Sequence, residues 1–426
     1  MPVRLESLAM VESDWPGADW AREKRTGQLA GPRSGDALNT PAAPVQLAKF
    51  HTPEIVFGPG ALAELGHCAA RLGTRRPFLV TDPGLIEAGW VDEAVGYLRQ
   101  VGLRPAVWHD VTPNPKDHEI EAAFQKYAES GSDVVIGLGG GSCIDAAKGV
   151  AILSGNGGRI LDYEGVDKVV HPILPTVMVP STSGTGADVS QFAVVTDTAA
   201  RIKITIISRT LVPEISLIDP RLLTTMPDWL NATTGLDALT HAIEAFVSRA
   251  HNPLTDSHAL HAAALIIGNL LQAQQRPNEM APRLAMAQGS LEAGMAFTNA
   301  ILGATHAMSH QVGGELDAPH GVVNAVLLPH VIRFNAEVWP ERFVPLAAAS
   351  GIRTEGMPAS EIALLLADRI RDLADEVGAP KGLAALGVTE AMLPQMARTT
   401  LKDACLTTNP READAGDIEA LFRVAL

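Results

Sequence analysis

From residue 49 to about residue 220 the chain alternates short apolar runs with stretches of helical period. The runs are "RPFLVTD", "RPAVWHDV", "DVVIGLGGG", "ILPTVMVPST" and "ISLIDP". Each is too short for a helix and apolar without alternation, which predicts strands covered on both faces of a parallel sheet. Between them, "GALAELGHCAARLG" and "HEIEAAFQKYAESG" repeat apolar residues at helical spacing, so this half reads as α/β. Beyond "LIDPRLLTTMP" the strand signals fade. Long helical patterns follow in "NATTGLDALTHAIEAFVSRA", "TDSHALHAAALIIGNLLQAQQ", "APRLAMAQGSLEAGMAF" and "ASEIALLLADRIRDLADEVG". The pattern divides the chain into an extension over 1–48, an α/β domain over 49–220 and an all-helical domain over 221–426. The extension is rich in Pro, Gly and charge with no sustained period, so it reads as loosely structured. Its Trp15 and Trp20 are candidates to dock on the body or on a partner. No low-complexity linker separates the other two domains, which predicts that they pack around a shared cleft.

Composition narrows the chemistry. With 46% hydrophobic and 19% charged residues over 426 positions, the chain has the balance of a globular enzyme. A net charge of -15 disfavours nucleic acid and anionic membranes as partners, because both need clustered Lys and Arg. The cysteines Cys68, Cys143 and Cys405 are far apart and odd in number, which argues against a disulfide framework and for a reducing compartment. The start lacks the apolar core of a signal peptide, and no run of eighteen apolar residues occurs, so a cytoplasmic protein is expected.

Two motifs suit phosphate or nucleotide. In "VVIGLGGGSCIDAAKG" a buried strand runs into Gly139, Gly140, Gly141 and Ser142 and then a helix, a turn whose free N–H groups and dipole favour an anion. The same pattern also serves as a structural turn. Asp82 ends "RPFLVTD" well before these glycines, the reverse of the usual dinucleotide fingerprint, in which the acid follows by about 20 residues. Asp82 reads either as an acceptor for a ribose 2′-OH, favouring NAD over NADP, or as a cap on the turn after its strand. "MVPSTSGTGADVSQFAVVTD" follows another strand and offers Ser181, Thr182, Ser183 and Thr185, suited to phosphate or nicotinamide or simply to a polar loop.

The helical half carries a different chemistry. In "GLDALTHAIEAF", Asp237 and His241 stand at i and i+4 on one helix face, as a hydrogen-bonded pair or as two ligands of one ion. "GATHAMSHQVGGELDAPHG" adds His306, His310 and His320. One carboxylate and up to three imidazoles suit Fe²⁺ or Zn²⁺, whereas Mg²⁺ and Ca²⁺ want more oxygens.

Taken in order, "VTD", "PNP", "GGGSCIDAAK", "PSTSGTGADVS", "GLDALTHAIEAF", "HAMSHQVGGELDAPHGVVNAVLLPHV" and "CLTTNPR" resemble the iron-containing, or group III, alcohol dehydrogenase family from about residue 50 to the C-terminus. The resemblance implies an α/β NAD-binding domain with a parallel sheet and flanking helices, an all-α C-terminal domain, and one catalytic metal between them, the architecture shared with dehydroquinate synthase. It assigns the metal, Fe²⁺ with Zn²⁺ as the alternative, to Asp237, His241, His306 and His320. NAD(H) contacts would fall on Asp82, Asn114, Gly140, Gly141, Ser142, Ser181, Thr182, Ser190 and Lys203, with Leu217 beside the nicotinamide. Phe297 and Cys405 match positions that border the substrate, and at a further pocket position the chain departs from the family pattern with Gln191 and Phe192, which leaves substrate preference open. A homodimer or higher homo-oligomer is expected.

The implied reaction transfers hydride between nicotinamide C4 and a small primary alcohol or aldehyde held at the metal. His310 is left to relay the hydroxyl proton, a task suited to imidazole. His320 is expected to be presented from the loop "ELDAPHG". Rival activities on the same architecture are an oxoacid transhydrogenase with tightly bound NAD, a maleylacetate-reductase-like enzyme and a dehydroquinate-synthase-like lyase. The intact ligand set counts against the maleylacetate-reductase-like reading.

Overall fold

The computed structural model describes residues Lys49–Leu426; Trp15, Trp20 and the rest of the extension lie outside the described residues. Strands β1 (Glu54–Phe57), β2 (Pro77–Val80), β3 (Ala106–Trp108), β4 (Val134–Gly139), β5 (Gly165–Val166), β6 (Thr176–Pro180), β7 (Phe192–Asp197), β8 (Ile202–Ile207) and β9 (Ile215–Ile218) all precede residue 219. A six-stranded parallel sheet runs in the order β1-β9-β6-β4-β2-β3. Helices α1 (Leu65–Arg71), α2 (Pro83–Glu87), α3 (Trp90–Gln100), α4 (Asp117–Ser130) and α5 (Gly141–Asn156) alternate with these strands. The continuous apolar runs are the central strands: every residue of β2, β4, β6 and β9 is buried, as a sheet covered on both faces requires.

A smaller three-stranded sheet, β5-β8-β7, pairs β7 antiparallel to β8. The sequence pattern does not predict it. Its strand "IKITII" alternates instead of running apolar, and β7 falls inside the motif read as a polar loop.

From Asp228 onward the described chain is helical. Helices α6 (Asp228–Val247), α7 (Pro253–Gln275), α8 (Met280–Ala300), α9 (Ala304–Leu316) and α10 (His320–Ala336) precede α11 (Phe343–Ala349), α12 (Ala359–Glu376), α13 (Leu393–Thr400) and α14 (Ala415–Val424). The first three share an alanine-rich core, in which Ala238, Ala242, Ala259, Ala262, Ala293 and Ala296 are buried. Small side chains let these helices lie close, and the cost of lost side-chain freedom is least for Ala. No helix among the described residues is long and apolar enough to cross a membrane.

Two glycines set the distances that matter later. Gly139 ends β4 at φ +152, and a Cβ there would lie 2.5 Å from Cys143 Sγ, so the turn into α5 closes only without a side chain. Gly321, the second residue of α10, faces α6 so closely that a Cβ would overlap the Thr233 carbonyl and approach Asp237 Cβ at 3.2 Å. Helix α10 therefore meets α6 backbone to backbone beside Asp237. Gly321→Ala is expected to lower the unfolding free energy by about 1–3 kcal/mol, the usual cost of overpacking. Denaturant melts measure this, and a melt unchanged from the parent would show that the two helices do not depend on that contact.

Candidate active site

At the C-terminal edge of the parallel sheet, where ligands of open α/β sheets bind, Gly140 forms the entry to α5 and Gly141 is its first residue. Across the turn stands the segment after β6, with Ser181 N–H donating to the Gly139 carbonyl at 2.9 Å. A Cβ on Gly140 would meet Thr182, and one on Gly141 would press on Thr185 at 2.6 Å. The hydroxyls of Thr81, Thr182 and Ser183 are buried here with no protein partner. A cradle kept free of side chains, with unpaired hydroxyls and a helix N-terminus, fits a phosphate-bearing cofactor.

Asp82 caps the turn after its strand. Its Oδ1 accepts from Leu85 N–H at 3.1 Å, capping α2, and its Oδ2 lies 3.1 Å from Cys143 Sγ, beside the glycine turn. Ser142 Oγ accepts from Asn114 N–H at 3.1 Å, and Lys203 Nζ donates to Asn114 Oδ1 at 2.8 Å. Burial pushes the Lys203 ammonium down to about 8, against the pull of the carboxylates of Asp317, Asp237 and Asp145. Asn114 Nδ2 donates in turn to Asp317 Oδ1 at 2.5 Å, so this chain of contacts runs from β8 to the end of α9.

The structure does not bring two expected residues to this crevice. Leu217 is fully buried among the side chains that include Leu138, Val177 and Val179. The period of two along β9 turns it into the core while Ser216 faces Asp188. Ser190 is also buried, because the fully buried Lys148 needs acceptors and takes the Ser190 carbonyl at 2.7 Å and hydroxyl at 3.2 Å.

On the helical side, Asp237 Oδ1 is surrounded by imidazole nitrogens: His306 Nε2 at 3.7 Å, His320 Nε2 at 3.7 Å and His241 Nε2 at 4.0 Å. Asp237, His241 and His306 are buried and present ligand atoms within 4.8 Å of one another, while His320 approaches the same oxygen from α10. Contrary to the loop expected from "ELDAPHG", His320 is the first residue of α10, preceded by Pro319, whose fixed φ suits the helix entry.

Each ring is turned by its other nitrogen. His241 Nδ1 donates to the Gly184 carbonyl at 3.2 Å and His306 Nδ1 to Glu244 at 2.7 Å. Ser309 Oγ lies 3.0 Å from His320 Nδ1 and 3.4 Å from the His320 carbonyl, to which its hydroxyl proton can go while the oxygen accepts from the ring. A carbonyl or carboxylate can only accept, so these bonds leave the Nε2 lone pairs facing Asp237. Burial alone would raise the Asp237 carboxyl, but His241, His320 and His306 hold it well below the usual carboxylate range. Burial pushes His241 down to about 4 and His320 well below its ordinary value. Burial also opposes charge on His306, yet Asp237 and Glu244 outweigh it and push that ring up to about 9. A proton and a cation thus compete for the same nitrogen. One carboxylate with three imidazoles is the donor set of a borderline divalent ion such as Fe²⁺ or Zn²⁺, and the residues fit one.

His310 is directed elsewhere. Its Nδ1 donates to Asp403 Oδ2 at 2.8 Å, next to the buried Cys405, while its ring stacks on His320 with centroids 5.3 Å apart. The Phe297 ring lies 4.4 Å from that of His241 and 5.8 Å from that of Phe192, so aromatic surface extends from the imidazoles to β7. The segment after β6 joins the two sides. It touches the glycine turn through Thr182 and Thr185, and α6 through Gly184, whose Cβ would strike Thr234 and whose carbonyl holds His241.

Glu244, Ser309, Asn324 and Asp403 were not picked from the sequence. Glu244 had a signal, since positions 237, 241 and 244 share one helix face at i, i+4 and i+7. Asp403 had none, being 93 residues from His310.

A glycine cradle facing a buried carboxylate–imidazole cluster defines a metal-dependent, nucleotide-linked enzyme. Comparison with known proteins agrees: residues 52–220 match the "Iron-containing alcohol dehydrogenase" family and residues 231–426 the "Fe-containing alcohol dehydrogenase family, C-terminal". The 1,3-propanediol dehydrogenase of Citrobacter freundii is 41% identical over 371 residues, 87% of this chain and 96% of that protein. The NAD-dependent methanol dehydrogenase of Bacillus methanolicus is 36% identical over 380 residues, 88% of this chain and 99% of that protein. A crystal structure of a 1,3-propanediol oxidoreductase superposes with a TM-score of 0.87 at 40% identity, covering 89% of this chain and all of that one. The chain belongs to the iron-containing alcohol dehydrogenase family and is an alcohol dehydrogenase, or aldehyde reductase, acting on CH–OH donors. Membership implies iron and NAD.

Glu244→Gln keeps the shape of the side chain and removes the charge opposite His306. Its affinity for Zn²⁺, read by chelator competition, is expected to fall about 10- to 100-fold. An affinity equal to the parent's would mean that Glu244 does not set the ring.

Proposed function

We propose that this chain reduces small primary aldehydes with NADH, and oxidises the corresponding alcohols, at an Fe²⁺ centre held by Asp237, His241, His306 and His320, with Zn²⁺ able to take the same ligands. The meeting of three Nε2 atoms on Asp237 Oδ1 is the observation that carries the reading. Residues 49–220 act as the NAD-binding domain and 221–426 as the catalytic domain. The relatives named above share this class of reaction, and the alcohols in their names suggest a short alcohol here as well.

Gly140, Gly141 and Ser142 receive the pyrophosphate at the N-terminus of α5. Asp82 accepts from a ribose 2′-OH and repels a 2′-phosphate, which favours NAD over NADP. Ser181, Thr182, Asn114 and Lys203 orient the remainder of the dinucleotide. Bound metal and nicotinamide supply Lewis-acid polarisation of the substrate oxygen and the hydride, respectively. Phe192, Phe297 and Cys405 wall the substrate with apolar surface and exclude water. His310 moves the hydroxyl proton at Nε2, its Nδ1–H held by Asp403. The enzyme works in the cytoplasm as a homodimer or higher homo-oligomer.

NADH oxidation over a panel of short aldehydes tests this, with protein reconstituted separately with Fe²⁺ and Zn²⁺. Turnover of at least one aldehyde is expected, and none under either metal would refute the assignment. In the same assay His306→Ala is expected to lose the metal. His310→Ala should retain it while turnover falls about 10²–10⁴-fold, the size of a lost acid–base group. If both variants lost the metal alike, His310 would be a ligand and the division of roles would be wrong.

A further inference from the structure

Asn324 occupies the middle of the histidine cluster, yet no ligand or cofactor role has been given to it above. It is fully buried on α10, one turn after His320, so the same helix face carries both residues. Its Nδ2 lies 2.7 Å from Asp237 Oδ1, 3.1 Å from His320 Nε2 and 3.2 Å from His306 Nε2. A carboxylate oxygen can only accept at 2.7 Å, which fixes the amide with its nitrogen toward Asp237. Its own Oδ1 is buried without a protein partner. A buried amide that leaves its carbonyl unpaired to aim its donors at Asp237 is arranged for that contact. The approach depends on Gly321, whose missing side chain lets α10 lie against α6 beside Asp237.

We infer that Asn324 is a positioning residue of the metal centre, holding the Asp237 carboxylate by a neutral hydrogen bond so that Oδ1 stays where the three Nε2 atoms converge. The inference rests on the metal centre proposed above. An amide suits the task because it donates without adding charge: a Lys or Arg there would compete with the cation, and an Asp would repel Asp237. Asn324 acts through Asp237 and takes no part in hydride or proton transfer.

The test measures Zn²⁺ affinity of the full chain by competition with a chromophoric chelator, for the parent, Asn324→Ala and Asn324→Leu. Leucine keeps the volume and removes the donor, and it decides the matter if the alanine variant does not fold. The expected result is a Zn²⁺ affinity about 10- to 100-fold below the parent's, with the melting temperature of the chelator-treated protein close to the parent's. A purely structural role would do the reverse, lowering that melting temperature and leaving Zn²⁺ affinity within twofold, and this would overturn the inference. Asp237→Ala is the control for the centre itself. Unchanged Zn²⁺ binding in that variant would show that the proposed ligand set, and not the role of Asn324 alone, is at fault.

Discussion

A carboxylate at Asp237, buried among apolar helices, is the constraint on which this site depends. Removing such a charge from water costs several kcal/mol even after the protein relaxes, so positive charge or donors must be placed beside it. The amide of Asn324 donates to it, and His306, pushed up to about 9 by Asp237 and Glu244, brings positive charge beside it. Imidazole can serve only if its ring is turned the right way, and here the turning is done from behind by Gly184, Glu244 and Ser309. Glu244 is itself fixed by the backbone N–H groups of Gly303 and Thr305 at the start of α9. The electrostatics of the site therefore reach back into the helix ends that build it.

The same logic explains how the two halves share one reaction. The segment after β6 presses on the glycine turn with Thr182 and Thr185 and hands its Gly184 carbonyl to His241. The glycine turn and the His241 ring are thus fixed by neighbouring residues of one loop. On the far side, Lys203, Asn114 and Asp317 form a second crossing between β8 and the residues leading to His320. A misplacement of about 1 Å between reacting partners can cost about 10²-fold in rate, and two crossings restrain the halves better than one.

Much of this was legible in the chain. Continuous apolar runs announce strands covered on both faces, and β2, β4, β6 and β9 answer to them. The hairpin of β7 and β8 escaped because "IKITII" alternates instead of running apolar and β7 follows directly on the Ser-, Thr- and Gly-rich stretch 181–190. Spacing on a single helix made Asp237 and His241 visible and could have added Glu244. Residues that meet through tertiary packing leave no such trace. The pairing of His310 with Asp403 depends on how α9 packs against the segment around Cys405. Leu217 and Ser190 are both buried. A residue beside a functional motif can face away from it, into a core or toward a buried lysine, and a one-dimensional reading does not separate the two faces.

These imidazoles converge on Asp237, and a divalent ion proposed to sit there leaves His310 outside its ligands. Anomalous diffraction at the zinc edge, on crystals of the full chain grown with Zn²⁺, measures this directly. One strong peak is expected, bounded by Asp237 and the Nε2 atoms of His241, His306 and His320. Among the described residues a second group, His310, Asp403 and Cys405, brings potential ligand atoms together. A peak there, with none at Asp237, would contradict the account.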